Sequence, residues 1–169
     1  MAGSPKSIPH EIPEGDFSGL HFAIVYSRFN QSITEGLLNA SLDCFKMAGV
    51  PREHIEVVAV PGAFEIPAAV KLLADHRQLD GIVTLGAVIQ GQTDHHVYIN
   101  QAVTEALMRL SLSLPTPLVF GILTPQNMEQ AEARALGLPE HNKGREVTLA
   151  LLEIVGTYGK LRESSRINL

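Results

Sequence analysis

From about residue 21 onward the apolar positions of this chain switch regularly between two periods. Phe22-Ala23-Ile24-Val25-Tyr26 is a short apolar run of the kind found in a strand buried on both faces. Ile33, Leu37, Leu38, Leu42 and Phe45 then recur at helical spacing until Gly49 and Pro51. Ser32 and Glu35 have the spacing of a capping box and predict that this helix starts there. The pattern repeats with a strand at Ile55–Val60 and a helix after Pro67 that carries Ile66, Val70, Leu73 and Ala74 on one side. A strand at Gly81–Ile89 follows, then a helix striped by Ile99, Val103, Ala106, Leu107, Leu110 and Leu114. Leu118–Leu123 predicts a fourth strand and Asn127–Ala135 a short helix. Gly144 to about Tyr158 predicts a last helix, with Val147, Leu151, Ile154 and Val155 on one face.

Strands and helices that alternate through short loops imply right-handed crossovers and a parallel sheet covered on both faces. The expected fold is therefore α/β, a flavodoxin-like three-layer sandwich with a four-stranded parallel sheet between helices. A chain of 169 residues fits one domain, which buries about 70% of its unfolded surface, and residues 20–169 are read as that domain. Residues 1–19 hold Pro5, Pro9 and Pro13 with Gly3, Gly15 and Gly19, and are read as an irregular N-terminal arm.

Composition narrows the function. A formal net charge of -5 argues against nucleic-acid and membrane-surface partners, which need clustered Lys and Arg, so an anionic ligand must be caught locally. The single Cys44 rules out a disulfide framework within the chain and suits a reduced, cytoplasmic setting, where it is read as a small core residue. The first twenty residues show neither a secretory nor an organellar pattern, and no apolar run is long enough for a spanning helix.

In an open parallel sheet, ligands bind at the carboxyl ends of the strands. The loops there are Ser27-Arg28-Phe29-Asn30, Pro61 to Glu65, Gly91 to His96 and Thr124-Pro125-Gln126. Gly91-Gln92-Thr93 ahead of a helix offers backbone N–H groups and the positive end of a helix dipole to an anion, although the same residues also make an ordinary turn and cap. His95, in the first turn, is the candidate acid–base group, imidazole being the side chain that exchanges protons near neutral pH. His96 is expected to point elsewhere, and the pair lacks the spacing of a metal site. Glu65 either complements a helix dipole or accepts hydrogen bonds from a polyol. Phe29 offers an aromatic face or belongs to the core. Arg134 presents a planar fork suited to phosphate, whereas Lys143 reads locally as a surface charge.

Arg28-Phe29-Asn30, Pro61-Gly62-Ala63-Phe64-Glu65-Ile66-Pro67, Leu85-Gly86-Ala87-Val88-Ile89, Gly91-x-Thr93-x-His95, Phe120-Gly121-Ile122-Leu123-Thr124 and Asn142-Lys143-Gly144 together resemble the lumazine synthase family over about residues 21–158. The resemblance implies a transferase that condenses 5-amino-6-(D-ribitylamino)uracil with 3,4-dihydroxy-2-butanone 4-phosphate, releasing phosphate and water, without metal or organic cofactor. It implies that Phe29 stacks on the pyrimidinedione, that Ala63, Phe64 and Glu65 hold its ring and ribityl chain, and that Ala87, Val88 and Ile89 supply backbone hydrogen bonds. Gln92 and Thr93 match the phosphate-binding pair and His95 the proton-transfer residue. Phe120 and Arg134 match residues that reach the site from a neighbouring subunit. Lys143 and Glu146 match charged positions near the pocket, the glutamate orienting His95.

Two features depart from the family pattern. Gln90 stands where many members carry Arg, and the segment from Arg134 to Gly144 is one residue longer than in the common bacterial form. The family forms homopentamers, some packed into 60-subunit shells. The longer loop and Pro139 favour a free pentamer here, and riboflavin synthase is a candidate partner. Rival functions are a non-catalytic lumazine or riboflavin binder, an FMN carrier and a structural shell subunit. The carrier is disfavoured because the loop after the first strand is not rich in Ser, Thr and Gly.

Overall fold

The computed structural model describes residues 11–167. Four strands, β1 (Phe22–Ser27), β2 (Ile55–Val60), β3 (Gly81–Ala87) and β4 (Leu118–Leu123), form one parallel sheet in the order β2-β1-β3-β4. The α-helices among the described residues are α1 (Gln31–Met47), α2 (Ile66–His76), α3 (His95–Ser113), α4 (Met128–Ala135) and α5 (Lys143–Ile167). The flavodoxin-like α/β sandwich is thus present.

Side chains alternate across each strand, so the sheet feeds two separate cores. Phe22, Ile24, Val83, Leu85 and Ala87 pack with Leu37, Phe45, Leu151 and Leu152 from α1 and α5. Ala23, Val25, Ile82 and Ile122 pack with Ile66, Val70, Val103 and Leu107 from α2 and α3. Each fully buried large aliphatic or aromatic side chain contributes about 1.5–3 kcal/mol. Phe22 and Phe45 also approach at a ring-centroid separation of 4.7 Å.

The layer of α1, α4 and α5 is held by a buried polar hub. Asn142 donates from its amide to the carbonyls of Gly36 and Ala135, and its Oδ1 accepts from the N–H of Gly144 at 2.8 Å, capping α5. Further along, the hydroxyls of Ser41 and Thr148 meet at 2.7 Å. Gly144 lies so close to α1 that a Cβ there would overlap the Leu37 carbonyl.

Several boundaries differ from the sequence expectations. The Ser32–Glu35 capping box is not used: α1 begins one residue before Ser32, after Asn30, whose left-handed backbone (φ 61°, ψ 50°) turns the chain out of β1. Asn tolerates that conformation better than most residues with a side chain. Glu35 instead accepts a hydrogen bond from the Gln31 side chain. Strand β3 stops at Ala87 rather than Ile89 because Pro125, opposite, has no N–H with which to continue the ladder. Helix α5 runs nine residues past Tyr158 to Ile167, where the polar sequence carries no apolar stripe to signal it. Residues 1–10 of the expected arm lie outside the described residues. Residues 11–19 contain neither helix nor strand, yet Phe17 is buried in the α1/α5 core with Ile12 packed against it.

Candidate active site

Three of the four strand ends converge on one cavity of about 350 Å³, lined by Phe29, Gly62, Ala63, Phe64, Ala87, Val88, Ile89, Gly91, Thr93, His95, His96 and Ile99. Its walls come from the loops after β1, β2 and β3 and from the first turns of α3. It lies where a parallel sheet is expected to bind ligands.

Phe29 is 70% exposed and Phe64 59%, so neither is a core residue. The loop that carries Phe29 is tied to the neighbouring strands. Its N–H donates to the Pro61 carbonyl at 3.0 Å, and the Asn30 side-chain amide donates to the Ala87 carbonyl at 2.9 Å. Ala63, Phe64 and Glu65 form a 3-10 turn ahead of α2. The Glu65 carboxylate accepts from the Gly62 N–H at 2.8 Å, which fixes the turn without placing Glu65 in the cavity lining. The observed contact is that of the first reading of Glu65, a carboxylate beside a helix start, next in the chain to the cavity-lining Phe64.

The Val88 N–H donates to the Leu123 carbonyl and the Gln90 N–H to the Pro125 carbonyl, at 2.8 and 3.0 Å. These bonds hold Val88, Ile89 and Gln90 extended beyond the end of β3. In a parallel ladder the N–H of Pro125 would have served the Val88 carbonyl; proline has none, so that acceptor is left at the sheet end.

Gly91, Gln92 and Thr93 lie in an exposed loop, and Asp94 stands between them and the first residue of α3, His95. Gly91, Thr93 and His95 line the cavity, and Gln92 does not. His96, expected to point away, lines it as well, with Nδ1 3.0 Å from the Thr93 carbonyl. The signal was available in the sequence: His96 lies three residues before Ile99, on the side of α3 that faces the sheet.

Phe120, Arg134, Lys143 and Glu146 are not brought to this cavity within the chain. Phe120 pairs in register with Thr84, three residues before Ala87, and packs in a separate groove with Thr104, Leu107 and Met108 of α3. Arg134 is exposed on α4 and donates to the Gln130 carbonyl one turn back. Lys143 and Glu146, in the first turn of α5, form an ion pair with each other. Helices α4 and α5 belong to the layer opposite α2 and α3.

Among the described residues no helix is long and apolar enough to cross a membrane. Comparison with known proteins settles the family. The family model for 6,7-dimethyl-8-ribityllumazine synthase matches residues 19–158. The chain belongs to the lumazine synthase family. It is 40% identical over 147 residues to the 6,7-dimethyl-8-ribityllumazine synthase of Leuconostoc mesenteroides, covering 87% of this chain and 94% of the relative. The synthase of Halorhodospira halophila is 40% identical over 148 residues, covering 86% and 94%, and that of Lawsonia intracellularis 41% over 146, covering 86% and 92%. The chain is accordingly an enzyme of the transferase class, in riboflavin biosynthesis. The matched region ends within α5, nine residues before the helix does.

Proposed function

We propose that the strand-end cavity condenses 5-amino-6-(D-ribitylamino)uracil with 3,4-dihydroxy-2-butanone 4-phosphate to 6,7-dimethyl-8-ribityllumazine, phosphate and water. The observation that carries this reading is the convergence of Phe29, the Ala63–Phe64 turn, the Ala87–Ile89 segment, Thr93 and His95 on one cavity. An exposed aromatic face, polar backbone, a loop before a helix N-terminus and an imidazole are what a flat heterocycle and a phosphorylated ketone require.

In this assignment the pyrimidinedione stacks on Phe29 and meets the backbone of Ala87, Val88 and Ile89, with the Val88 carbonyl as one acceptor. Ala63, Phe64 and Glu65 hold the ring and ribityl chain. The N–H groups of the Gln92–Thr93 loop and the helix dipole receive the phosphate. Holding two reactants side by side removes the entropy cost of their encounter, the chief lever for a condensation that also occurs spontaneously. His95 moves protons during imine formation and ring closure, and the phosphate site stabilises the departing dianion.

Arg134 and Phe120 enter the assignment from an adjacent subunit, with Lys143 and Glu146 as further charged residues near the shared site. Supporting this, Phe29 and Phe64 in the cavity lining are exposed, and among the described residues Arg134 donates to a backbone carbonyl of its own helix. We assign a homopentamer in the cytoplasm rather than a 60-subunit shell, with riboflavin synthase as a candidate partner. Five chains of 18.3 kDa give about 90 kDa and sixty about 1.1 MDa, which light scattering separates.

Steady-state kinetics on two variants tests the division of roles. His95→Ala is expected to lower turnover without abolishing it. Arg134→Ala is expected chiefly to raise KM for the phosphorylated substrate. Equal loss of turnover in both with unchanged KM contradicts the assignment.

A further inference from the structure

We propose that His96 is a second proton-transfer residue of the condensation, acting beside His95. The inference rests on the functional reading above, and its geometry is independent of that reading. His96 Nδ1 lies 3.0 Å from the Thr93 carbonyl oxygen. A carbonyl only accepts, so Nδ1 carries the proton in this bond, and the neutral ring keeps its lone pair on Nε2. His96 is half-buried and lines the cavity with Ile99, whereas Val97 and Tyr98 between them are exposed. The ring is held at Nδ1, which leaves Nε2 as its acceptor nitrogen.

The chemistry has work for such an acceptor. When the uracil amine attacks the ketone, an N–C bond forms and the former carbonyl oxygen leaves as water, which calls for a proton donor. In the next step the C3–H of the imine loses its proton, its electron pair becomes the C3=C4 bond, and the C4–O bond breaks with its pair on the phosphate. His96 Nε2 takes the C3 proton in this step. The imidazolium so formed returns a proton to C4 of the enol while the enol hydroxyl proton passes to solvent, giving the methyl ketone that closes the ring. His95 is thereby free to protonate the hydroxyl groups that depart as water. One imidazole holding one transferable proton serves both sets of steps less well than two.

Few other charges face His96. Its neighbour on the cavity wall is His95, and Asp94 precedes α3. On the packed turn, the Glu65 carboxylate is bonded to the Gly62 N–H. On α2, Lys71 and Asp75 pair with each other. The positions of β4 that face α3, Leu118, Phe120 and Ile122, carry no charge.

The deciding variant is His96→Asn, whose amide NH2 can replace Nδ1–H as donor to Thr93 but which has nothing in place of Nε2. The expected result is an unchanged Tm, KM for the phosphorylated substrate within about twofold, and kcat lower by roughly 100-fold. The acidic limb of the kcat–pH profile is also expected to flatten. Nitrogen-15 NMR of the unmodified enzyme should show the Nδ1–H tautomer at His96. Full turnover with an unchanged pH profile in His96→Asn reduces His96 to a brace for the Thr93 loop and overturns the proposal, as does an Nε2–H tautomer. A wild-type enzyme no faster than the spontaneous reaction removes the functional reading itself, and that result is read before any His96 variant is made.

Discussion

Single residues show how much depends on neighbours that the sequence does not name. Phe29 and Phe45 are both phenylalanines near strand ends or helix stripes, yet one is 70% exposed and the other fully buried. The difference lies in position, since Phe29 sits in the turn after β1 whereas Phe45 lies on the buried face of α1. If Phe29 is the stacking face, Phe29→Ala should weaken binding of the uracil substrate about 10-fold, with a smaller effect on the phosphorylated ketone, measured as separate KM values. An equal effect on both substrates would speak for general loosening of the loop. Cys44 offers a test of the core. Burial pushes its thiol up from 9.0 to about 11. The folded state therefore holds this proton more tightly than the unfolded chain, and the associated stability is complete below about pH 9 and is lost as pH rises through about 11. Denaturant midpoints over that range should fall with pH, and Cys44→Ala should remove that part of the slope. Thiol reagents should label native protein only as fast as it opens.

At the scale of elements, the sequence pattern located all four strands because each is a compact apolar run, and its helical stripes located the five helices. What it missed were ends and directions. The Ser32 capping signal misplaces the start of α1 because it competes with a left-handed Asn30 whose side chain is held from across the fold, by the Ala87 carbonyl. The end of β3 depends on Pro125, a residue of another strand's loop. Its position next to His95 predicts His96 turned away from the cavity, whereas its spacing from Ile99 predicts it turned towards the cavity it lines. The polar hub at Asn142 was legible only as part of a family motif, since its partners Gly36 and Ala135 lie on other elements. Asn142→Ala strands those partners and uncaps α5, and should cost about 2–4 kcal/mol in urea unfolding. Gly144→Ala should be comparably damaging, because its Cβ meets backbone that cannot swing aside. A loss below about 0.5 kcal/mol in either would show that the α1–α5 contact adapts more readily than this packing implies.

For the molecule as a whole, one chain brings some of the proposed site residues together and leaves others apart. Phe29, Thr93, His95 and His96 meet in the cavity, while Phe120, Arg134, Lys143 and Glu146 lie elsewhere on the same chain. The proposal that Phe120 and Arg134 serve a neighbouring subunit rests on the family resemblance, because no intrachain pattern announces a partner in another subunit. If sites are shared, mixing His95→Ala and Arg134→Ala chains, unfolded and refolded together, should regenerate wild-type sites at about a quarter of positions. Activity above the mean of the two parents demonstrates sharing, and activity equal to that mean refutes it. The central claim, catalysis at the strand-end cavity, is tested most directly by supplying both substrates to the purified protein. Lumazine formation is then followed by absorbance and fluorescence against the spontaneous reaction. The account predicts clear acceleration that His95→Ala reduces; tight lumazine binding without acceleration would contradict it and leave a binding protein on this scaffold.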